Sequence, residues 1–308
     1  MPNAGPRDSE RANGSTRKVA IFGAAGQLGV ELARVFEDAG YSVLRLTRSE
    51  GDITDLAVVE SHLTRFSPSL VINSAAYNMV DIAEKEAQAA YMVNGLAVRN
   101  MAMACRQLDA RLVHFSTDYV FDGRAGRPYV ETDDVHPLGA YAVSKLAGEL
   151  YAQAYLEKPL IIRTSGVFGP GGLNTPRGNF VELMLRLAAG SQPIRVVEDH
   201  VASPTYAPAL AARTLALVDA GASGVYHAGG GAPVSWYDYA RIIFRLAGLK
   251  PELRATNERE YRTAARRPKY SALSNAKMEK AGIAPMPPLE EAVAAYLEAR
   301  KAASMLKA

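Results

Sequence analysis

Hydrophobic positions along this chain fall in short continuous runs separated by stretches of helical periodicity. Val19-Ala20-Ile21-Phe22 is an apolar run closed by glycine and reads as a buried strand. Leu28, Leu32 and Phe36 then recur at helical spacing, and Gly40 stops that helix. Ser42 to Leu46 reads as a second strand. Leu56, Val59 and Leu63 mark a helix after Asp52-Ile53-Thr54-Asp55, with Thr54 or Asp55 as its cap. The pattern continues with a strand at Leu70 to Asn73, a long helix over about Ala87 to Leu108 and a strand at Leu112 to Ser116. A helix at Ala140 to Glu157 and a strand at Leu160 to Thr164 follow. Wholly apolar strands alternating with helices predict an α/β protein, a doubly wound parallel sheet of Rossmann type covered on both faces.

After about Gly166 the rhythm loosens. Pro170 to Gly178 is a loop rich in Gly, Pro and Asn. Beyond it the pattern predicts a helix at Phe180 to Ala189, a strand at Ile194 to Val197, a helix at Ala207 to Ala220 and a strand at Val225 to Ala228. Further helices are predicted near Ser235, around Lys277 and over Leu289 to Leu306. The expected organisation is a dinucleotide-binding domain over residues 18–165 and a smaller, mainly substrate-binding α/β domain over 166–308, with scope for elements of the second to return to the first. Met1 to Arg17, rich in Pro, Gly, Asn, Ser and charge, is expected to be a disordered tail.

Composition narrows the function classes. Among 308 residues, 35 basic against 32 acidic side chains leave a net charge of +3, too balanced for a nucleic-acid partner. A phosphorylated small molecule needs only local charge and stays open. The single cysteine, Cys105, has no disulfide partner in the chain and sits in an apolar helical segment as a packing residue. No apolar run approaches the roughly 20 residues that span a bilayer. The expectation is a cytoplasmic protein with no membrane partner. His62, His114, His136, His200 and His227 fall in no metal-ligand spacing, so no metal site is expected.

Three segments carry chemistry. Gly23-x-x-Gly26-x-x-Gly29 follows a strand and opens a helix, the context in which glycines allow a pyrophosphate to approach a helix N-terminus. At the end of the second strand, where a carboxylate would favour NAD, stands Thr47-Arg48-Ser49; Arg48 either pairs with a 2′-phosphate or lies on the surface. NADPH is therefore favoured over NADH. Asp52 and Ile53 either flank the adenine or, for Asp52, cap a helix. Small residues in Asn73-Ser74-Ala75-Ala76-Tyr77-Asn78 suit either a cofactor lying across the sheet edge or close helix–strand packing. Tyr141 and Lys145, four residues apart, share one helix face. An ammonium beside a phenol favours the phenolate and makes tyrosine a usable proton donor near neutral pH. Thr117, with Ser116 beside it, is placed to hydrogen-bond a substrate oxygen. Trp236 opens a helix that Ser235 caps and reads as packing. The basic stretch Arg262, Arg266, Arg267, Lys269 either meets a substrate diphosphate or forms a solvated face.

These residues resemble the extended short-chain dehydrogenase/reductases and, among them, the dTDP-4-dehydrorhamnose reductase family. The resemblance runs from Lys18 to about the C-terminus. It is carried by Gly26-Gln27-Leu28-Gly29, Ala75-Ala76-Tyr77-Asn78-Met79-Val80-Asp81-Ile82-Ala83-Glu84, Ser116-Thr117-Asp118-Tyr119-Val120-Phe121 and Tyr141-x-x-x-Lys145-Leu146-Ala147-Gly148-Glu149. Weaker matches include Asn179-Phe180, Trp236-Tyr237-Asp238-Tyr239 and Arg267-Pro268. The resemblance implies hydride transfer from NADPH or NADH to the C4 ketone of a dTDP-linked 6-deoxy-hexulose. Tyr141 would protonate the alkoxide, Lys145 would hold the nicotinamide ribose, and Thr117 would orient the keto oxygen. It further implies cofactor contacts at Gly23, Gly26, Gln27, Leu28, Gly29, Asp52, Ile53, Ala75, Ala76, Tyr77 and Asn78. Substrate contacts fall at Val80, Asp118, Tyr119, Asn179 and position 166. At 166 the chain departs from the family: glycine stands where a tryptophan is usual, which implies a sugar pocket that is wider or filled from elsewhere. Asn78 and Met79 also replace the family's usual threonine and small residue.

Two other readings share these residues. One is a related epimerase or ketoreductase acting on another nucleotide sugar. The other is a non-catalytic NADP-binding subunit resembling the regulatory subunit of methionine adenosyltransferase, which shares the segment from Asp118 to Gly123. A homodimer is compatible with all of them.

Overall fold

The computed structural model describes residues 17–175 and 178–305. The expected tail therefore lies, except for Arg17, outside the described residues, as do two positions of the Pro170–Gly178 loop. In chain order the first half contains β1 (Lys18–Phe22), α1 (Gln27–Asp38), β2 (Ser42–Leu46), α2 (Leu56–Phe66), β3 (Leu70–Asn73), α3 (Val80–Ala83) and α4 (Ala87–Tyr91). A π-helical turn at Met92–Leu96 leads into α5 (Ala97–Gln107), β4 (Arg111–Thr117), α6 (Ala140–Tyr155) and β5 (Leu160–Thr164). The second half contains α7 (Phe180–Ala188), β6 (Ile194–Val197), β7 (Val201–Ala202), α8 (Ala207–Asp219), β8 (Gly224–His227) and β9 (Val234–Ser235). After these come α9 (Trp236–Leu246), β10 (Leu253–Thr256), α10 (Ala276–Lys280) and α11 (Leu289–Met305).

Six strands form one parallel sheet in the order β2-β1-β3-β4-β5-β8. Val19, Ala20, Ile21 and Phe22 are all fully buried, because alternate side chains enter the cores on the two faces. On one face Val19 and Ile21 meet Leu32 and Phe36 of α1 and Leu210 and Leu217 of α8. On the other, Ala20 and Phe22 meet Val59 and Leu63 of α2 and Val98 and Met101 of α5. Strand order reverses between β1 and β3, and the crevice outside the carboxyl ends of the strands at such a reversal is where this architecture holds ligands.

A second core gathers Phe168, Val181, Tyr239, Ile243, Val293 and Tyr296 from α7, α9, α11 and the segment before them. The two-stranded sheets β6–β10 and β7–β9 belong to this half; neither β7, β9 nor β10 stands out from the apolar pattern, being two to four residues long. Meanwhile α8 packs on α1, and β8 pairs with β5 at the edge of the large sheet. The chain thus leaves the large sheet after β5, builds the second lobe and returns.

Helix boundaries follow local chemistry. The Asp55 carboxylate accepts from the amides of Ala57 and Val58, so Asp55, and neither Asp52 nor Thr54, caps α2. Ser235 accepts from Asp238 N and caps α9. The long helix expected over Ala87–Leu108 is broken: its second turn widens to π at Met92–Leu96, an inserted bulge of the kind that re-aims a side chain. The side chain re-aimed is Asn94, 1% exposed.

Candidate active site

The glycine turn is shaped by close backbone approach. Gly23 has φ +76°, and a Cβ there would stand 2.6 Å from the amide nitrogen of Ala75 in the loop after β3. A Cβ on Gly29 would collide with the Gly23 carbonyl. Gly26 opens α1, and no side chain among the described residues caps that end. The backbone amides of the first turn therefore face the crevice with their dipole uncompensated, which fits the pyrophosphate of a dinucleotide. Leu28 turns away and packs on the core. Gln27 does something the motif does not announce. Its Nε2 donates to Val167 O at 2.7 Å, and its Oε1 accepts from Asn179 Nδ2 at 2.9 Å and Gly169 N at 3.2 Å. Asn179 also caps α7 through Glu182 N and donates to the Tyr296 hydroxyl. The side chains at 27 and 179 thus join the glycine turn to the second lobe and spend their polar atoms there.

Beyond β2, Arg48 is exposed in a turn held by the Glu50 carboxylate, which accepts from Thr47 N and Oγ1. Asp52 accepts from Thr54 N at 2.9 Å and Thr54 Oγ1 at 2.7 Å. These bonds, with a smaller contribution from Arg48, hold its carboxyl below the usual carboxylate range. Ile53 is buried behind it. After β3, Ala75 N donates to the buried Asn73, Ala76 and Asn78 are exposed, and Tyr77 is clamped. Asn94 accepts from Tyr77 N and donates to Tyr77 O, both at 2.9 Å, and donates to Ser144 Oγ, whose own proton goes to Tyr141 O. Asn94 therefore ties the loop after β3 to the helix carrying Tyr141. Its only mark in the sequence is an amide inside the apolar run Val93-Asn94-Gly95-Leu96.

Tyr141 and Lys145 stand on α6, whose first amide, Ala140 N, is capped at 2.8 Å by Glu84 from the end of α3. Thr117 ends β4 and is the side-chain partner of the phenol, while the Tyr119 ring meets the Tyr141 ring edge-on at 6.2 Å. Tyr141 and Thr117 are thereby brought together at the crevice. The expected effect of Lys145 on the phenol is not found. Burial pushes the Tyr141 phenol up to about 12; Thr117 works against this and Asp118 adds to it. The Lys145 ammonium, 3% exposed, donates to the Phe115 carbonyl at 2.6 Å, and burial lowers its pKa to about 8 with Glu149 holding it up. A buried amine gives its strongest bond to the nearest backbone acceptor, which here lies at the end of β4.

Asp118 is 3% exposed. Its Oδ1 accepts from Thr117 Oγ1 at 3.1 Å, and its Oδ2 from Ser165 at 2.7 Å and Ser271 at 2.5 Å. Burial raises its pKa to about 6 against those bonds. This carboxylate acts on the crevice through hydroxyls, chiefly that of Thr117. Val80 opens α3 and lines the cleft beside Tyr119 and Tyr141. Gly166 is exposed with φ +48°, and the Cη2 of Trp236 lies 3.3 Å from where its Cβ would be. An indole carried on α9 thus overhangs the position where the family's own tryptophan is missing. The rest of that ring packs edge-on against Phe180 at 4.7 Å. Among the described residues no group of His, Cys, Asp and Glu is arranged to hold a metal ion, and no helix is long and apolar enough to cross a membrane.

A family model described as the RmlD substrate binding domain matches residues 17–302. The chain belongs to this family. It is 41% identical over 292 residues to the dTDP-4-dehydrorhamnose reductase of Mycobacterium tuberculosis, covering 93% of this chain and 94% of that one. It is 40% identical over 286 residues to the spore coat polysaccharide biosynthesis protein SpsK of Bacillus subtilis, covering 93% and 99%. Among solved structures, the dTDP-4-dehydrorhamnose reductase of Bacillus anthracis in complex with NADP superposes with a TM-score of 0.87 at 34% identity, covering 92% of this chain and 99% of that one. The RmlD relationship spans both lobes, so the glycine turn, the Tyr141 helix and the lobe carrying Trp236 all fall within it.

Proposed function

We propose that the protein reduces the C4 ketone of a dTDP-linked 6-deoxy-hexulose with NADPH, yielding dTDP-L-rhamnose. The observation that carries this is the phenol of Tyr141 beside Thr117 at the carboxyl end of β4, facing the crevice that the Gly23–Gly29 turn borders. Family membership and the dTDP-4-dehydrorhamnose reductase relatives support the sugar and the nucleotide. The nicotinamide supplies a hydride when bound. The turn amides of α1 hold the pyrophosphate, and Lys145 holds the nicotinamide ribose. Thr117 and Tyr141 receive the keto oxygen. As the carbonyl carbon accepts hydride, the oxygen gains charge and takes the phenol proton. Tyr141 is protonated at neutral pH, since its pKa is about 12, and so stands ready as the acid. The decisive experiment follows NADPH absorbance with a dTDP-4-keto-6-deoxy sugar and identifies the product. No oxidation of NADPH by any nucleotide-linked 4-keto sugar would sink the reading.

Arg48 supports NADPH over NADH: it is exposed at the end of β2, where a guanidinium can fork onto a 2′-phosphate. Arg48→Ala is expected to raise KM for NADPH roughly tenfold or more while leaving KM for NADH within about twofold. Steady-state kinetics with each cofactor checks this. A second expectation concerns pH. The Lys145 ammonium is lost as pH rises through about 8. At saturating sugar nucleotide, kcat/KM for NADPH should therefore decline above about pH 8, and Lys145→Met should flatten that limb. A rate profile from pH 6 to 10 measures both.

A further inference from the structure

Four basic side chains crowd into Arg262, Arg266, Arg267 and Lys269. The fold sorts them. Arg267 forks onto Asp81, with Nη1 at 3.0 Å and Nη2 at 2.7 Å, and is the side-chain partner of Tyr119. Lys269 lies 3.3 Å from Asp199 and 3.5 Å from Glu258. Neither has a free charge to offer. Arg266 makes no ion pair among the described residues, is exposed, and lines the narrow cleft shared by Tyr119, Tyr141, Val80 and Pro268. Arg262 is also exposed but is not among the residues lining that cleft. The one carboxylate lining it, Glu84, already accepts the Ala140 amide at 2.8 Å.

We propose that Arg266 is the guanidinium that receives the diphosphate of the sugar nucleotide, across the sugar ring from Tyr141. The inference rests on the reductase reading for the pose of the sugar. A hexulose with its C4 oxygen at the phenol carries its diphosphate on C1, the opposite end of the ring. The anion therefore emerges one sugar's width from Tyr141, along the cleft that Arg266 borders. A planar guanidinium matches the paired oxygens of a diphosphate, and an arginine without a carboxylate partner gives up no ion pair to meet it. Arg267, already forked onto Asp81, instead keeps Tyr119 and α3 in place for the sugar.

The test uses the full chain with Arg266→Gln, Arg266→Lys and Arg262→Gln. Arg266→Gln is expected to raise KM for the sugar nucleotide about ten- to hundredfold with kcat and KM for NADPH within about twofold. Calorimetric titration with thymidine diphosphate alone should show the same loss of affinity, and titration with thymidine alone should show none. Arg266→Lys, which keeps the charge but loses the fork, should fall between; it also serves if the glutamine variant fails to fold. Arg262→Gln should match wild type. Wild-type affinity for thymidine diphosphate in both Arg266 variants, or an equal loss in Arg262→Gln, overturns the proposal, as does a wild-type protein with no affinity for thymidine diphosphate. The titrations need no turnover. A protein that binds thymidine diphosphate through Arg266 yet reduces no keto sugar defeats the reductase reading and leaves this subsite standing.

Discussion

Tyr141→Phe is expected to lower kcat by about a hundred- to ten-thousandfold, the usual contribution of a positioned proton donor. The ring would stay in place, since its packing against Tyr119 at 6.2 Å involves the ring and not the hydroxyl. What disappears is the proton next to Thr117, and with it the acid that neutralises the developing alkoxide. Because the hydroxyl acts mainly as charge develops, KM for the sugar nucleotide and affinity for NADPH should change little. Steady-state kinetics, with fluorescence titration of NADPH to show that the cofactor site survives, separates these effects. Turnover retained within a few fold would remove Tyr141 from the acid role. Turnover lost together with cofactor affinity would mean that α6 had moved, because Asn94 and Ser144 link that helix to the loop after β3.

Glu149→Ala is expected to destabilise the fold by roughly 3–5 kcal/mol, the cost of stranding a buried charge. Glu149 and Arg163 are 2% and 6% exposed at their side chains, with Arg163 Nε at 2.9 Å from Oε1 and Nη2 at 2.7 Å from Oε2. Removing the carboxylate leaves a guanidinium above the Phe121 ring with no counter-ion and no water. By contrast Arg195–Glu260, with both side chains 54% exposed, should contribute little, since solvent screens it. Denaturant unfolding of the two deletion variants measures the difference, and a loss below about 1 kcal/mol for Glu149→Ala would refute the argument. Glu149 also holds up the pKa of Lys145 one turn earlier on α6. Its loss should lower that pKa further, so the decline in kcat/KM expected above about pH 8 should begin at lower pH in the variant.

The two variants probe opposite ends of one helix, and the helix shows what a local reading can reach. That Tyr141 and Lys145 share a face follows from spacing alone, and the structure keeps them so. Where their polar atoms go does not follow. Lys145 bonds the end of β4, thirty positions away in sequence, and Tyr141 meets Thr117 of the same strand. The cap on α6 comes from Glu84, fifty-six positions before Ala140. A similar limit separates Gly23 from Gln27. Glycine at 23 is demanded by a positive φ in a strand-to-helix turn, a local constraint that composition reveals. Gln27 sits four residues later in the same motif, but its partners, Val167, Gly169 and Asn179, lie in the approach to the second lobe.

By itself the sequence determined the alternation of strands and helices, the parallel sheet, the glycine turn and the identity of the proton donor. Each depends on spacing within a few residues, where backbone geometry dictates which side chains share a face or which position tolerates no Cβ. Tertiary structure alone decided that α8 and β8 return to the large sheet and that a π turn aims Asn94 at the loop after β3. It also decided that Trp236 overhangs Gly166 and that Asp118 is enclosed by Thr117, Ser165 and Ser271. Among four neighbouring cations it left Arg266 at the cleft without a carboxylate partner. These outcomes depend on which distant segments meet when the two lobes close, and charge and hydrogen bonding then select among side chains that look alike along the chain.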